Sequence, residues 1–503
     1  MFAILKKIPP WGWVILGFLS LNLATCGWYP SVWTDEVAHS DPAANLYFGH
    51  GLTSTMFSQP SGEYWVGNPP LFMFLLFGWF KLVGFGIFQY RAFGYLLWSA
   101  GVALLCLAVR RARLIRSPLA LAVLASLLFA GYAVVFNYRS GRYDPLILVV
   151  VAACFLAFTI PHPGWRRLAV FFSAALFLPT ALTVGPFAAA FGCLVFLVTG
   201  RKFFMELACT ALGLAAGFGA LYAYVCGLGM WETYRRITVL AAQSYYPAGQ
   251  ATPVWQRKLA GFPPKLVQDP TAVILLLGLL GIFFSCRKKL DATGRRLVVL
   301  GTATFFLVPA MEQAAYAYQI YHCWQIYIPL AVCLVALLDR PQELFPVRTR
   351  NICLVALALV VFTLGLGLRL GLESTDRAGR DYSKVEQFVE RTIHPGDVVM
   401  ADCQAFYPLH KLNVTTYYYY YLSIIKPPEA GTINCLLINP NWLGAIRDKI
   451  GGDWVATGES YTQENKFTVA WLNRIFPHYY QNQSNQKYNL VMYRRVSVPA
   501  KQP

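Results

Sequence analysis

Two acidic residues stand side by side directly after the first apolar segment of this chain. They are Asp35 and Glu36, in the stretch WTDEVAHSDPAANLYFGHG. Adjacent carboxylates repel each other, and beside a membrane they need a cation, a metal ion or hydrogen-bond donors to compensate them. The pair is therefore a candidate catalytic or binding site. The structural alternative is that Thr34 or Asp35 caps a helix that begins near Glu36, which accounts for one acidic residue but not obviously for both.

A second charged loop, NYRSGRYDP, follows a later apolar segment and contains Arg139, Arg142 and Asp144. A guanidinium pairs bidentately with phosphate or carboxylate, so these arginines indicate an anionic partner. The phosphate of a lipid fits such a site. The alternative is an internal ion pair between Arg142 and Asp144.

The composition identifies the class of protein. Of 503 residues, 57% are hydrophobic and 13% are charged, and the mean hydropathy is +0.46, which indicates a polytopic membrane protein. The net charge of +18 comes from basic residues clustered in short loops, which is typical of a topology signal. We therefore expect no nucleic-acid partner.

The apolar segments predict eleven membrane crossings, each needing about 20 residues to span roughly 30 Å of hydrocarbon. The basic clusters fall on one side if the N-terminus is cytoplasmic. Residues 68–88 are also apolar, but counting them as a crossing inverts later clusters, so they predict a juxtamembrane helix in the outer interface. The predicted crossings are 10–29, 92–109, 118–136, 145–161, 168–182, 184–200, 203–225, 271–286, 297–311, 324–338 and 351–370.

The composition changes near residue 375, where polar residues replace the apolar runs. We predict a transmembrane domain over residues 1–370, with outer loops at 30–91, 137–144 and 226–270. Over residues 371–503, helical patterning alternates with short strand-like segments, which predicts a soluble α/β domain. With eleven crossings before it, this domain is predicted to be extracytoplasmic. Cys403 and Cys435 lie in this polar region, either as a disulfide or as a free pair.

The pattern resembles the GT-C glycosyltransferases that use polyprenyl-phosphate sugars, especially the branch of protein O-mannosyltransferases and lipid A aminoarabinose transferase. The resemblance covers roughly residues 1–340, in order and spacing. It implies an α-helical polytopic membrane fold. The matching features are Thr34-Asp35-Glu36, Asn68-Pro69-Pro70-Leu71, Arg91, Arg142-x-Asp144-Pro145 and the segment Ile326 to Leu338.

The resemblance also implies roles for these residues. In that family an acidic residue of the first outer loop deprotonates or orients the acceptor hydroxyl, which attacks the anomeric carbon with inversion while the lipid phosphate leaves. Asp35 would be the general base, supported by Glu36 and Asp144, since a base must lie within hydrogen-bond reach of the attacking hydroxyl. The residues expected to bind the donor phosphate are Arg139, Arg142, Lys81, Arg91, Arg257 and Lys258. The residues expected to line the substrate cavity are Asn68, Pro69 and His322.

Some family members hold a divalent metal ion between the carboxylates, and others do without. Asp35 and Asp144 are therefore possible metal ligands, and His39 could join them. An oxygen-ligand set of this kind is ambiguous, so the sequence does not decide whether a metal ion binds. No other cofactor is expected.

The chain departs from the family pattern at two places. Many relatives have histidine where Asn68 stands and a Lys-Gly pair where Val184-Gly185 stands. The second difference removes a cation from the phosphate site. Arg257, Lys258 or Lys265, all in the outer loop 226–270, are the candidates to replace it.

Together these observations predict an inverting glycosyltransferase of the inner or plasma membrane that works on the extracytoplasmic side. Its partners would be a polyprenyl-phosphate sugar donor, a glycan, lipid or protein acceptor, and the surrounding membrane lipids. The main alternative is a multi-pass transporter or flippase, but transporters place charges near the bilayer midplane and often show internal repeats. A transferase fold without activity is a third reading.

Overall fold

The computed structural model of the chain is mostly helical, with a small sheet near the C-terminus. It describes residues 8–28, 30–56, 64–181, 185, 187–188, 192, 204–235, 253–260, 262–315, 318–340, 345–374, 380–419, 427–462 and 488–496. The helices of the N-terminal part are α1 (Pro10–Ala24), α2 (Thr34–Phe48), α3 (Pro70–Val83), α4 (Ile87–Arg111), α5 (Pro118–Ala130), α6 (Tyr132–Arg139), α7 (Asp144–Phe158), α8 (Pro163–Ala175), α9 (Phe177–Thr180), α10 (Phe204–Gly227), α11 (Val254–Ala260), α12 (Phe262–Leu266), α13 (Pro270–Cys286), α14 (Ala292–Ala315), α15 (Trp324–Leu338), α16 (Val347–Phe362) and α17 (Leu368–Ser374), with a 3-10 turn at Ile320–His322 and a π segment at Thr363–Gly367.

Several of these helices are long and apolar enough to cross a membrane. Within the described ranges, five meet that requirement, and up to seven do if each of two bent helix pairs counts as one span. The chain is therefore a multi-pass membrane protein. The predicted number of eleven crossings is not confirmed, and the predicted crossing at 184–200 lies almost entirely outside the described residues.

Helix α3 corresponds to the predicted juxtamembrane segment. It has 14 residues and begins at Pro70, a position where proline loses no helical hydrogen bond. At 1.5 Å per residue it is about 21 Å long, short of the roughly 30 Å of hydrocarbon. Helices α1 and α7 are comparably short, so length alone does not decide which of the three crosses, and the interfacial position of α3 stays a prediction.

Burial distinguishes the centre of the helical part from its periphery. Every residue of α15 is buried. In α10 and α16, by contrast, large apolar side chains such as Leu212 and Leu359 are 62% and 61% exposed. Exposed apolar helix faces of this kind are suited to a hydrocarbon environment. Helix α15 is thus the element around which the others pack.

Helices α5 and α6 form one of the bent pairs, with an angle of 63° between them. A break in a span frees backbone N–H groups, which need other partners where water is scarce. The Oγ1 of Thr271 accepts a hydrogen bond from Tyr132 N at 3.0 Å. A carboxylate oxygen of Asp269 accepts one from Ala133 N at 3.4 Å. The satisfied bend directs α6 toward the loop that contains Arg142.

The C-terminal part combines a sheet with helices, as the sequence predicted, and the sheet is mixed. The strand order is β2-β1-β3-β5-β4; β1 is parallel to β2 and β3, whereas β5 is antiparallel to β3 and β4. The elements are β1 (Val398–Ala401), β2 (Thr415–Tyr418), β3 (Cys435–Ile438), β4 (Trp454–Thr462) and β5 (Asn489–Arg495), with helices α18 (Ser383–Thr392), α19 (Phe406–Leu412), α20 (Pro427–Thr432) and α21 (Leu443–Ile450) and short 3-10 turns at Cys403–Ala405 and Pro440–Trp442.

This C-terminal part rests on the first outer loop. The hydroxyl of Tyr488 accepts a hydrogen bond from Val32 N at 3.2 Å, and His410 Nε2 lies 3.3 Å from Asn45 Oδ1. These contacts connect α19 to α2 and connect the residue directly before β5 to Val32, which lies two residues before α2. Of the two cysteine alternatives, the structure shows the free pair, since Cys403 and Cys435 are both unlinked.

The substitution Gly365→Ala tests how closely the last span packs. A Cβ at this position would lie 1.8 Å from Ala130 O, so the π segment and α5 would have to separate. We expect the free energy of unfolding to fall by about 1–3 kcal/mol, seen as a lower melting temperature in detergent. The control is Gly371→Ala, where an added Cβ meets nothing within 4 Å. Equal melting temperatures for the two variants would contradict this packing.

Candidate functional site

The first outer loop and the loop after α6 meet at the ends of their helices. The indole Nε1 of Trp33, directly before α2, donates a hydrogen bond to Ser140 O at 2.9 Å. Gly141 has φ +67°, a left-handed conformation that favours glycine. A Cβ there would come within 2.4 Å of the Tyr90 ring and 2.8 Å of Glu36 Cγ. The turn at Gly141 is therefore pressed against the first turn of α2, which brings the two predicted charged loops together.

Arg142 links the two predicted acidic sites. Its Nε donates to Asp144 Oδ2 at 2.8 Å, and its Nη1 donates to Asp35 Oδ2. The guanidinium lies 4.3 Å from the centre of the Tyr321 ring. The internal ion pair named as the alternative thus forms, and it extends across the two loops to Asp35.

Asp35 is the more accessible of the two carboxylates. Its side chain is 30% exposed, whereas that of Asp144 is 1% exposed. Desolvation by the surrounding protein raises the pKa of Asp35 above its ordinary value. The positive charge of Arg142 opposes this rise, and the negative charge of Asp144 adds to it. A recessed carboxylate with a raised pKa is a stronger base than a freely solvated one, which suits proton abstraction.

Glu36 belongs to a separate, fully buried ion pair. Arg91 Nε donates to Glu36 Oε1 at 2.9 Å, and Nη2 donates to Oε2 at 2.7 Å. Arg91 Nη1 also donates to Cys26 O at 2.8 Å. From the C-terminal part, the Tyr407 hydroxyl donates to Glu36 Oε1 at 3.0 Å. The charges of Glu36 and Arg91 therefore join α2 and α4 to helix α19 of the C-terminal part.

The capping alternative for the acidic pair is wrong. Helix α2 begins at Thr34, its N-cap residue is Trp33, and no side-chain capping bond is formed. The adjacent carboxylates are instead explained by two different guanidinium partners on two sides of the helix.

The residues before and within α15 complete the surroundings of Arg142. Trp324 Nε1 donates to Asp144 Oδ1 at 3.1 Å. His322 is buried, and its Nδ1 lies 3.0 Å from Glu312 Oε2. Its ring is edge-on to that of Tyr321 at 4.6 Å between centroids. His322 is thus separated from Arg142 by one aromatic ring.

Two other predicted phosphate contacts lie apart from this network. Arg139 is fully buried and donates to Thr25 O at 2.6 Å and to Asn22 Oδ1, so it ties α6 to α1. Lys81 is exposed near the C-terminal end of α3, with its Nζ 3.4 Å from Tyr47 O. The start of α3 lies beside His39, so Lys81 is at the far end of that helix.

The predicted cations of the outer loop 226–270 lie around the end of α14. Lys258 Nζ donates to Ala314 O at 2.7 Å, two residues from the glutamate that pairs with His322. Arg257 is its half-buried neighbour in α11, and Lys265 Nζ lies 3.4 Å from Gln313 Oε1. Residues 236–252 of this loop are outside the described residues.

Asn68 and Pro69 lie half-buried where α3 begins, beside α2. Asn68 Nδ2 donates to Ala38 O at 2.8 Å and lies 3.4 Å from His39 Nδ1. The His39 ring is edge-on to Tyr143 at 4.7 Å. Burial and a nearby guanidinium lower the pKa of His39, which keeps its imidazole neutral.

A metal ion between Asp35 and Asp144 stays a prediction. The Arg142 guanidinium bridges the two carboxylates, so a divalent cation would have to displace it. Across the described parts of the chain, no group of three or more His, Cys, Asp or Glu side chains is arranged to hold a metal.

Three aromatic residues that were not predicted from the sequence contact the charged network: Tyr321, Trp324 and Tyr407. The first two flank the predicted His322 in the segment QIYHCWQ, so the same motif could have suggested them. Tyr407 gives no local signal, because its partner Glu36 lies in the N-terminal part of the chain.

The two neighbouring acidic residues should differ in their effect on stability. Glu36→Gln leaves Arg91 buried without its counter-charge, so we expect a loss of about 3–5 kcal/mol of unfolding free energy. Asp35→Asn removes a partly exposed carboxylate, and Arg142 still pairs with Asp144 in this variant. We therefore expect a smaller loss of unfolding free energy. Thermal unfolding of the two purified variants in one detergent measures the difference, and a melting temperature that is as low for Asp35→Asn would contradict it.

Comparison with known proteins identifies the fold. No family model matches the sequence, and no curated protein matches it significantly. The structure is similar to the crystal structure of ArnT from Cupriavidus metallidurans bound to undecaprenyl phosphate, with a TM-score of 0.56 and 13% identity over 98% of this chain and 99% of that chain. The apo state of the same enzyme matches with a TM-score of 0.53 and 12% identity over 96% and 98% of the chains. The chain therefore has the GT-C fold that its residue pattern predicted.

Proposed function

We propose that the chain is an inverting glycosyltransferase that moves a sugar from a polyprenyl-phosphate donor to an acceptor hydroxyl, with Asp35 as general base. One pairing carries the proposal: the partly exposed Asp35 contacts Arg142, whose guanidinium is held on its other side by Asp144. The pair combines a base and an anion-binding cation. The fold relative ArnT was crystallised with undecaprenyl phosphate, and a guanidinium is suited to binding such a lipid phosphate.

In the reaction, Asp35 accepts the proton of the acceptor hydroxyl. The hydroxyl oxygen forms a bond to the anomeric carbon, and the bond between that carbon and the phosphate oxygen breaks. The electron pair of the broken bond stays on the departing phosphate, whose added charge Arg142 stabilises. Attack from the face opposite the phosphate inverts the anomeric configuration, and Asp35 then releases its proton to solvent.

Arg142 changes partners in this scheme, because it pairs with Asp35 before the donor binds. A planar guanidinium can bind two oxygens of a tetrahedral phosphate at once, and in the proposed scheme the donor phosphate takes Nη1 away from Asp35. The Nε bond to Asp144 and the contact with Tyr321 can persist during the exchange. Asp35 is left beside Asp144 without its cation, which makes it a stronger base.

The remaining predicted residues take supporting roles in the proposal. Lys258 is the second candidate for the phosphate, since it lies at the same end of α14 as the Glu312–His322 pair. Asn68 and Pro69 border the site from the start of α3. Glu36, Arg91 and Arg139 hold the helices that position it. The site and the C-terminal sheet would face the extracytoplasmic side, and the acceptor would be a glycan, a lipid or a protein.

The substitution Asp35→Asn tests the assignment of the base. Purified protein is incubated with membrane extract and a panel of radiolabelled undecaprenyl-phosphate sugars, and label is followed into the acceptor fraction. We expect transfer by the wild type and a fall of at least about a hundredfold in the variant, the range of a lost general base. Asp448→Asn, an exposed position on α21, is the control. Transfer by Asp35→Asn at the wild-type rate would refute the assignment, and donor flipping without label transfer would favour a flippase.

The substitution Arg142→Gln should change the pH dependence as well as the rate. Transfer needs ionised Asp35, so kcat/KM falls as pH drops through its pKa. Burial raises that pKa and Arg142 lowers it. Losing the cation therefore raises the pKa further and moves the acidic limb to higher pH. The pH profile of kcat/KM measures this shift, with exposed Arg391→Gln as control; a limb that stays in place or moves to lower pH would show that Arg142 does not act on the base.

A further inference from the structure

A cavity of about 790 Å³ is lined by residues of both the helical part and the C-terminal part, and Asp35 is not among them. Gly27 and Trp28, which follow α1, and Phe88 at the start of α4 form one side of it. Arg380 and Asp381, which precede α18, form the other. Its volume is in the range of sites that hold small molecules. The buried Arg91 bond to Cys26 O lies between this cavity and Glu36, so the cavity and the Asp35 site are on different sides of that ion pair.

The cavity lies at the level where apolar helices end. Helix α4 begins at Ile87, and the span that starts with α16 continues as far as Gly371, three residues before the cavity residue Ser374. Phe88 is 50% exposed. An apolar side chain that is exposed at the end of a span is suited to contact with lipid. The cavity therefore opens where lipid headgroups would lie.

Three charged residues line the cavity: Arg380 and Asp381, which are adjacent in the chain, and Glu386. The carboxylate of Glu386 accepts a hydrogen bond from Lys411 Nζ at 2.7 Å, so its charge is already paired. Arg380 Nη1 donates to Trp28 O at 3.1 Å, and its guanidinium pairs with Glu373. Asp381 accepts a hydrogen bond from Ser383 N at 3.1 Å through one carboxylate oxygen. One guanidinium and one carboxylate on consecutive residues match a ligand that carries a negative and a positive group a short distance apart.

We propose that this cavity binds the headgroup of a zwitterionic phospholipid with a primary ammonium, such as phosphatidylethanolamine. The phosphate faces Arg380, the ammonium faces Asp381, and the acyl chains run past Phe88 into the bilayer. Charge-assisted hydrogen bonds from an ammonium to a carboxylate and from a guanidinium to a phosphate are the strong class of such bonds. The lipid fills the space between the spans and the C-terminal part, and the site does not depend on sugar transfer.

Two glycines allow a matched test. Gly27 lines the cavity and Gly17 lies on the exposed face of α1, and a Cβ at either position would meet nothing within 4 Å. Gly27→Leu fills the cavity without changing a charge, whereas Gly17→Leu adds the same side chain elsewhere. Native mass spectrometry of the full chain, released from nanodiscs of phosphatidylethanolamine or phosphatidylglycerol, counts the lipids that stay bound.

We expect one phosphatidylethanolamine per chain in the wild type and in Gly17→Leu, and retention reduced by about tenfold or more in Gly27→Leu. Asp381→Asn should reduce retention of phosphatidylethanolamine but not of phosphatidylglycerol, because only the former presents an ammonium. Equal retention of both lipids by the wild type, or unchanged retention in Gly27→Leu, would overturn the proposal. Asp35→Asn should keep its lipid, so a failure of the proposed transfer reaction leaves this result unaffected.

Discussion

A guanidinium shared by two carboxylates is the constraint on which the rest of this structure depends. An unpaired charge that is buried as deeply as those of Arg142 and Asp144 costs several kcal/mol. The folded state avoids this cost because Asp35, Arg142 and Asp144 lie in contact with one another. Their meeting requires the bend between α5 and α6, the left-handed turn at Gly141 and an enclosed α15 that presents Trp324 to Asp144. Together these features bring two loops that are distant in sequence to one place.

The same reasoning explains why two acidic residues stand side by side. Successive residues of a helix point about 100° apart, so Asp35 and Glu36 leave α2 in different directions and reach different arginines. Glu36 and Arg91 are fully buried and shared with Tyr407, which fixes the start of the helix. Asp35 keeps part of its surface exposed and pairs with a guanidinium that has a second carboxylate. Glu36 therefore anchors the first turn of α2, while the carboxylate of Asp35 stays partly accessible.

Local signals in the sequence predicted much of this structure. The two charged loops, the proline that opens α3 and the combination of strands and helices in the C-terminal part all follow from residues close in sequence. The number of crossings did not follow, because bent pairs and helices of 14 or 15 residues do not obey a rule of about 20 residues per span. The partners of Arg91 and Arg139 could not be predicted either. An arginine at the end of an apolar segment looks the same whether it binds a lipid phosphate or a buried protein group, and only the arrangement of the helices distinguishes the two.

The C-terminal part of the chain contacts the proposed site through Tyr407, which lies in α19. The Tyr407 hydroxyl donates a hydrogen bond to Glu36, and Glu36 is the residue next to Asp35. If α19 moved away, a buried carboxylate oxygen would lose one of its donors, at a cost of about 1–3 kcal/mol. The first turn of α2 is thus more stable in its present geometry when α19 is docked. Because Arg91 and Tyr407 close the side of α2 next to Glu36, an acceptor in the proposed reaction would approach Asp35 from the exposed part of its side chain.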